Sequence, residues 1–198
     1  MRKIAAVLVL IGALALYVGL CGADSYAVGK MNLSGPVLEI DNDGITASGG
    51  ANFVSTVTTG PMKPGTMRVD SLRAEKIRLD LARDKKGRQA LKQATATGNV
   101  VIKGKRAEQS ADEAGKPITT IQDFVATADN VNMPEGQDIV VLTGNVLVKV
   151  TEPGVPEPIW TLDGKKATFS LKDNKMRIEG DAGKPAALTV TPKEEKSK

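Results

Sequence analysis

The sequence predicts an all-β fold built from a repeated two-strand unit, and three observations carry that expectation. Aromatic residues make up only 3% of the 198-residue chain while hydrophobic residues make up 41%. The apolar stock is therefore mostly Val, Ile, Leu and Ala, side chains that suit a pleated, half-buried surface. Beyond Asp24, apolar and polar residues alternate between clusters of Gly, Pro, Asn and Asp without a sustained 3.6-residue period, the pattern of strands and turns. Finally, Thr97-Gly98-Asn99-Val100 recurs as Thr143-Gly144-Asn145-Val146, 46 positions later, and a string that returns with matching flanks marks a structural repeat.

The N-terminus comes first in the chain and stands apart. Met1-Arg2-Lys3 is a short basic start, residues 4–20 are uncharged and apolar, and Cys21-Gly22-Ala23 is a small-x-Ala ending. This reads as an export signal over residues 1–23, cleaved after Ala23, which places the rest in the periplasm. Two other fates remain open: retention of residues 4–20 as a membrane anchor, at the lower edge of the length that spans a bilayer, and lipidation of Cys21, which the bulky Leu20 before it disfavours. Cleavage removes Arg2 and Lys3 from 27 basic residues, leaving 25 against 23 acidic. That balance, without a basic stripe interleaved with aromatics, argues against nucleic acid as a partner. The chain has no histidine, so the usual general base and the commonest zinc ligand are missing. Cys21 is the only cysteine, so the body has neither a disulfide nor a thiolate site. No cofactor, metal or catalytic group is expected.

The repeat is read from its clearest strand outward. Val140, Leu142, Gly144, Val146, Val148 and Val150 share one face, with Thr143, Asn145 and Lys149 on the other. Ala94, Ala96, Gly98, Val100 and Ile102 align with that face, as do Ile45, Ala47, Gly49, Ala51 and Phe53 earlier and Met176, Ile178, Gly180 and Ala182 later. A second strand type precedes three of these, over residues 72–79, 126–133 and 162–169. In each, the apolar phase holds to Ala74, Ala128 or Gly164, skips one extra polar residue and resumes at Ile77, Val131 or Ala167. A one-residue slip turns a strand over unless a bulge absorbs it, so the same bend is expected in every unit. Gly98, Gly144 and Gly180 then serve as bulges or sharp corners rather than as ligand contacts. Residues 83–93, 106–119 and 152–158 read as polar loops, the first with room for one helical turn, and residues 193–198 as a disordered tail after a domain over 24–192.

The stretches ATATGNVVIKGK at residues 94–105, ATADNVNM at 126–133 and VLTGNVLVKV at 141–150 resemble the OstA-like domain shared by the periplasmic lipopolysaccharide-transport proteins LptA and LptC, over about residues 31–190. The resemblance implies a half-open, taco-shaped β-jelly-roll that carries lipopolysaccharide acyl chains inside and stacks end to end through its edge strands. The TGNV strands and the cleavable signal are more similar to the soluble, LptA-like bridge, which passes lipid towards the outer membrane. The Trp160-Thr161-Leu162 stretch is closer to the membrane-anchored LptC-like component. On this reading the partners are lipopolysaccharide or a related amphipathic lipid, other OstA-like envelope proteins and further copies of the chain. The expected groove lining is Leu72, Leu79, Ala96, Val100, Met133, Val140, Leu142, Val146, Phe169 and Ile178, the inner phase of the repeats.

The same residues also suit a sealed core, in which case the chain is a structural or adaptor protein of the envelope. Lys76, Lys103, Lys165 and Lys166 read as solvated faces before they read as head-group contacts. The edges near residues 31–40 and 186–190 are the places for strand addition. The one enzyme class that the missing histidine leaves comfortable is a carboxylate glycosidase using two of Asp70, Glu75, Asp80, Asp129 and Asp163. These acids fall at solvent-facing repeat positions and no aromatic sugar platform accompanies them, so the chain reads as a non-enzyme.

Overall fold

The computed structural model describes residues 30–56, 62–83, 89–111, 115–134, 139–155, 157–170 and 175–191. The expected signal and tail lie outside them. Ten strands form: β1 (Lys30–Ser34), β2 (Val37–Ile40), β3 (Gly44–Thr56), β4 (Met67–Arg83), β5 (Gln89–Ala111), β6 (Pro117–Met133), β7 (Ile139–Thr151), β8 (Trp160–Ser170), β9 (Lys175–Glu179) and β10 (Ala187–Val190). All belong to one antiparallel sheet in the order β1-β3-β4-β5-β6-β7-β8-β10, with β2 also on β3 and β9 also on β8. From β3 to β8 each strand pairs with its neighbours in sequence, as short connections between antiparallel strands allow. The fold is all-β and open, made of the repeated two-strand units that the sequence predicts.

The slip read from the sequence is a ladder of bulges. The register shifts between Ser48 and Ala51 on β3, Arg73 and Lys76 on β4, Thr97 and Val100 on β5, Thr127 and Asn130 on β6, and Thr143 and Val146 on β7. In each case the extra residue lies on β3, β5 or β7; a bulge bends its strand and adds an unpaired residue, so three bulges on one rung, each felt by the strands beside it, crease the whole sheet. Gly98 and Gly144 adopt φ of 79° and 96° there, a left-handed conformation that glycine enters without the Cβ penalty. Opposite the bulges, β4 and β6 are one residue shorter and slip phase: Ala74 and Ile77 are buried around exposed Glu75 and Lys76, and Ala128 and Val131 around exposed Asp129 and Asn130.

The crease divides the sheet into two arms. Leu79, Ala96, Val131, Val140 and Phe169 lie on one side of it, and Val69, Ile102, Phe124, Val148 and Leu162 on the other. The arms face each other, because Val140 and Phe169 of the first line the same cavity as Met67, Val69, Ile102 and Phe124 of the second. Small side chains sit at the crease, where Ala51, Ala74 and Ala128 are buried together with Gly164. Bulk there would hold the arms apart.

Both outer edges are split strands. β2 pairs with one half of β3 (Val37↔Ser48 to Ile40↔Ile45) and β1 with the other (Lys30↔Thr56 to Ser34↔Asn52). The break falls at Gly35-Pro36, beside the β3 bulge. At the far edge β9 and β10 share β8 in the same way. This corrects the expectation that Gly180 and Ala182 continue a fourth repeat strand. β9 ends at Glu179, and Gly180 enters a turn in which the Asp181 N–H donates to the Lys184 carbonyl at 2.9 Å. A Cβ on Gly180 would overlap the Lys184 carbonyl and the Ala186 nitrogen, so close backbone approach, not a bulge, requires this glycine.

The loops are shorter than the sequence suggests. β5 runs on to Ala111 and β6 begins at Pro117, so most of residues 106–119 is a paired hairpin arm, tied by Ser110 Oγ to Thr120 Oγ1 at 2.7 Å. β4 likewise reaches Arg83 and β5 begins at Gln89. Within residues 83–93, only 84–88 lie outside the described strands, so the helical turn finds no room in the rest. Where both faces of a sheet meet water, polar residues follow one another, and backbone pairing rather than hydropathy defines the strand. Residues 152–155 and 157–158 carry no strand, as expected of a loop.

Candidate functional site

The candidate site is the apolar seam between the arms. Leu79, Ala96, Val100, Leu142, Val146 and Phe169 are buried in one continuous cluster, and Leu72, Val140 and Ile178 pack half-buried against it. Nine of the ten residues expected on the inner phase thus share one surface. Met133 does not join the cluster: it is half-buried at the last position of β6, before Pro134. Phe124, Ala126 and Val150 are also buried in the seam. The alternation Gln122, Phe124, Ala126, Ala128 carried that signal, hidden by its proximity to residues read as loop.

The seam is narrow. Between Met67, Val69, Ile102, Phe124, Ala126, Val140, Leu142 and Phe169 there is a cavity of about 20 Å³, room for about one water and far too little for an acyl chain. The two edges of the sheet do not pair with each other among the described residues.

The outer side of the crease explains the Thr-Gly-Asn repeat. Asn99 Nδ2 donates to Glu75 Oε1 at 2.8 Å. One unit on, the Asn145 backbone N–H and Nδ2 each donate to Asp129 Oδ2 at 3.2 Å. A Cβ on Gly98 or Gly144 would overlap the Glu75 or Asp129 carboxylate. Glycine therefore lets an acid of the preceding strand lie over the bulge and hold the following asparagine. In the last unit the pair is ionic, with Lys165 Nζ 4.0 Å from Asp181 Oδ2.

The five acids weighed as a glycosidase pair face outward and each has its own partner. Asp70 meets Arg68 at 2.7 Å, Asp80 meets Arg78 at 2.6 Å and Asp163 meets Lys184 at 2.9 Å, while Glu75 and Asp129 hold the asparagines. Lys76, Lys103, Lys165 and Lys166 are exposed, and Lys166 pairs with Glu179 at 3.5 Å. None of these lysines faces the seam. Arg106, within the residues 106–119 expected to form a loop, does share the seam-facing phase, opposite buried Gln122. Among the described residues no cluster of His, Cys, Asp or Glu suits a metal ion.

No family model matches the chain, and no curated protein does. Among solved structures the chain is similar to LptH from Pseudomonas aeruginosa, described as the LptA-homologous periplasmic component of the conserved lipopolysaccharide transport device. The match covers 82% of this chain and 95% of that one, at 16% sequence identity and a TM-score of 0.46.

Proposed function

We propose that this chain is a periplasmic lipid-transport component of the LptA-like kind, a bridge that takes lipopolysaccharide acyl chains into the seam between its arms and passes them towards the outer membrane. The observation that carries the reading is the creased, open sheet whose facing arms share one apolar, mostly aliphatic cluster. The OstA-like pattern of residues 94–105, 126–133 and 141–150 supports it. Each methylene that enters the seam contributes about 0.8 kcal/mol, so a chain of ten or so carbons offsets several kcal/mol of arm separation without directed chemistry. The protein then works by binding rather than catalysis. Its leader, residues 1–23, delivers residues 24–192 to the periplasm; an uncleaved segment 4–20 would make it the anchored, LptC-like component.

The edges supply the partner surfaces. Val37, Leu38 and Ile40 on β2 are 48%, 53% and 78% exposed, and Leu188 and Val190 on β10 are each 61% exposed. Apolar edges of this kind are templates for strand addition by another OstA-like protein or by a second copy, head to tail.

One observation favours a second reading, a sealed envelope adaptor: the cavity of about 20 Å³ holds no lipid as it stands. An apolar fluorescent dye separates the two. Saturable binding to the folded protein, displaced by lipopolysaccharide, supports the carrier. A folded protein that leaves the dye free supports the adaptor.

A further inference from the structure

One end of the seam is polar. Arg106 of β5 pairs in register with Gln122 of β6 and, on its other side, with Met67 of β4. Arg106 shares the inward phase of Ile102 and Gly104, and Gln122 that of Phe124 and Ala126. The Arg106 side chain is only 18% exposed and its guanidinium lies over the Trp160 ring, 5.5 Å from the centroid. Its Nη2 is 3.4 Å from Glu108 Oε1. Gln122 is 4% exposed. Two buried atoms here find no protein partner among the described residues: Arg106 Nε, a donor, and Gln122 Oε1, an acceptor. Leaving such groups unpaired is costly, and they stand beside Met67 and Phe124, which line the seam cavity.

We propose that Arg106 and Gln122, with Trp160 as the platform, form the head-group end of the seam and take the oxyanion of an amphipathic lipid together with an adjacent hydroxyl or amide N–H. This deepens the lipid-carrier reading and rests on it. The oxyanion accepts from Arg106 Nε, the neighbouring hydroxyl donates to Gln122 Oε1, and the apolar chain runs past Met67 and Phe124 between the arms. The planar, always-charged guanidinium suits phosphate and carboxylate better than a lysine would. Stacking on Trp160 fixes its plane. Glu108 competes for the far side of the guanidinium and sets a preference for ligands that reach Nε from within the seam.

Trp160 is the only tryptophan of the chain and reports on the site directly. The full chain is titrated below the micelle concentration with dodecyl phosphate, with uncharged dodecyl maltoside and with inorganic phosphate, following Trp160 emission and, independently, calorimetric heat. The expected result is at least tenfold tighter binding of dodecyl phosphate than of dodecyl maltoside, no saturable response to inorganic phosphate, and loss of the preference to within twofold in Arg106→Gln. Gln122→Leu tests the second atom without removing charge: a Tm equal to or above that of the parent, with a weaker preference for dodecyl phosphate, is expected. A lower Tm with the preference unchanged would mean that Gln122 only serves the fold, through a bridging water, and would overturn its role. Equal binding of the two amphiphiles overturns the head-group site and leaves the seam reading standing. Binding of neither by the folded protein overturns both. Saturable inorganic phosphate binding lost in Arg106→Gln would assign the site to free phosphate instead of a lipid.

Discussion

Replacing Gly144 by alanine tests the crease at its β7 joint. Two costs follow from the geometry. Gly144 has φ of 96°, and holding an L-residue in the left-handed region costs roughly 1–2 kcal/mol. The new Cβ also overlaps the Asp129 carboxylate, so Asp129 swings away and releases the Asn145 backbone N–H and Nδ2, each 3.2 Å from Oδ2. Those bonds are exposed, which keeps their combined loss to about 1 kcal/mol. Gly144→Ala should therefore cost about 2–3 kcal/mol in urea unfolding, or about 8 °C in Tm for a chain of this size. In an Asp129→Ala background the overlap and the clasp are both gone, and the same substitution should cost only about 1–2 kcal/mol. The difference between the two backgrounds, about 1 kcal/mol, is the coupling that the clasp predicts. A cost below about 0.5 kcal/mol, the usual range of a surface change, or an identical cost in both backgrounds, would refute the account of the Thr-Gly-Asn repeat.

Three other outcomes follow from the same structure. Leu142→Ala removes a seam side chain that is 1% exposed; it should destabilise by about 2–5 kcal/mol and, by enlarging the cavity, raise apolar dye uptake per folded molecule. Leu188→Lys, at an exposed edge position, should leave stability within about 0.5 kcal/mol while weakening concentration-dependent association in sedimentation; unchanged association would remove β10 as a contact edge. At the β2–β3 turn, the Asp43 backbone N–H, the Arg78 guanidinium and the Gly44 N–H hold the Asp41 carboxyl below its ordinary value of 3.8. A lowered carboxyl contributes stability above the unfolded value that disappears as pH falls through the folded one. Hydrogen-exchange protection at Gly44 should therefore drop on the acid side of 3.8, and Asp41→Asn should abolish that drop. Equal acid sensitivity in the variant would refute it.

The crease was legible because three strands broke phase at the same point. Ala74, Ala128 and Gly164 each precede two exposed residues, and alternation makes a one-residue slip visible wherever one face is buried. The seam was legible for the same reason. Legibility ended where that contrast ends. Arg106 and Gln122 sit inside the seam but are polar, so hydropathy placed Arg106 in a loop. Gly180 resembled Gly98 and Gly144 in phase, yet its role depends on Lys184 and Ala186 folding back over it, a contact several residues away that periodicity does not encode. Nor did the sequence show that each edge is two strands: Gly35-Pro36 reads as an ordinary turn until the register on β3 is known.

The most direct test of the central claim is a photo-crosslinking residue in place of Leu142, on the seam face, compared with one at Lys149, which is exposed on the opposite face of the same strand. Both full-length variants are expressed in cells that make lipopolysaccharide, irradiated and fractionated. A lipopolysaccharide-sized adduct at position 142 and not at 149 is the result the account predicts, and its presence in the soluble periplasmic fraction would separate the bridge from the anchored form. A folded, exported protein without an adduct at position 142 would contradict the account and leave the sealed adaptor.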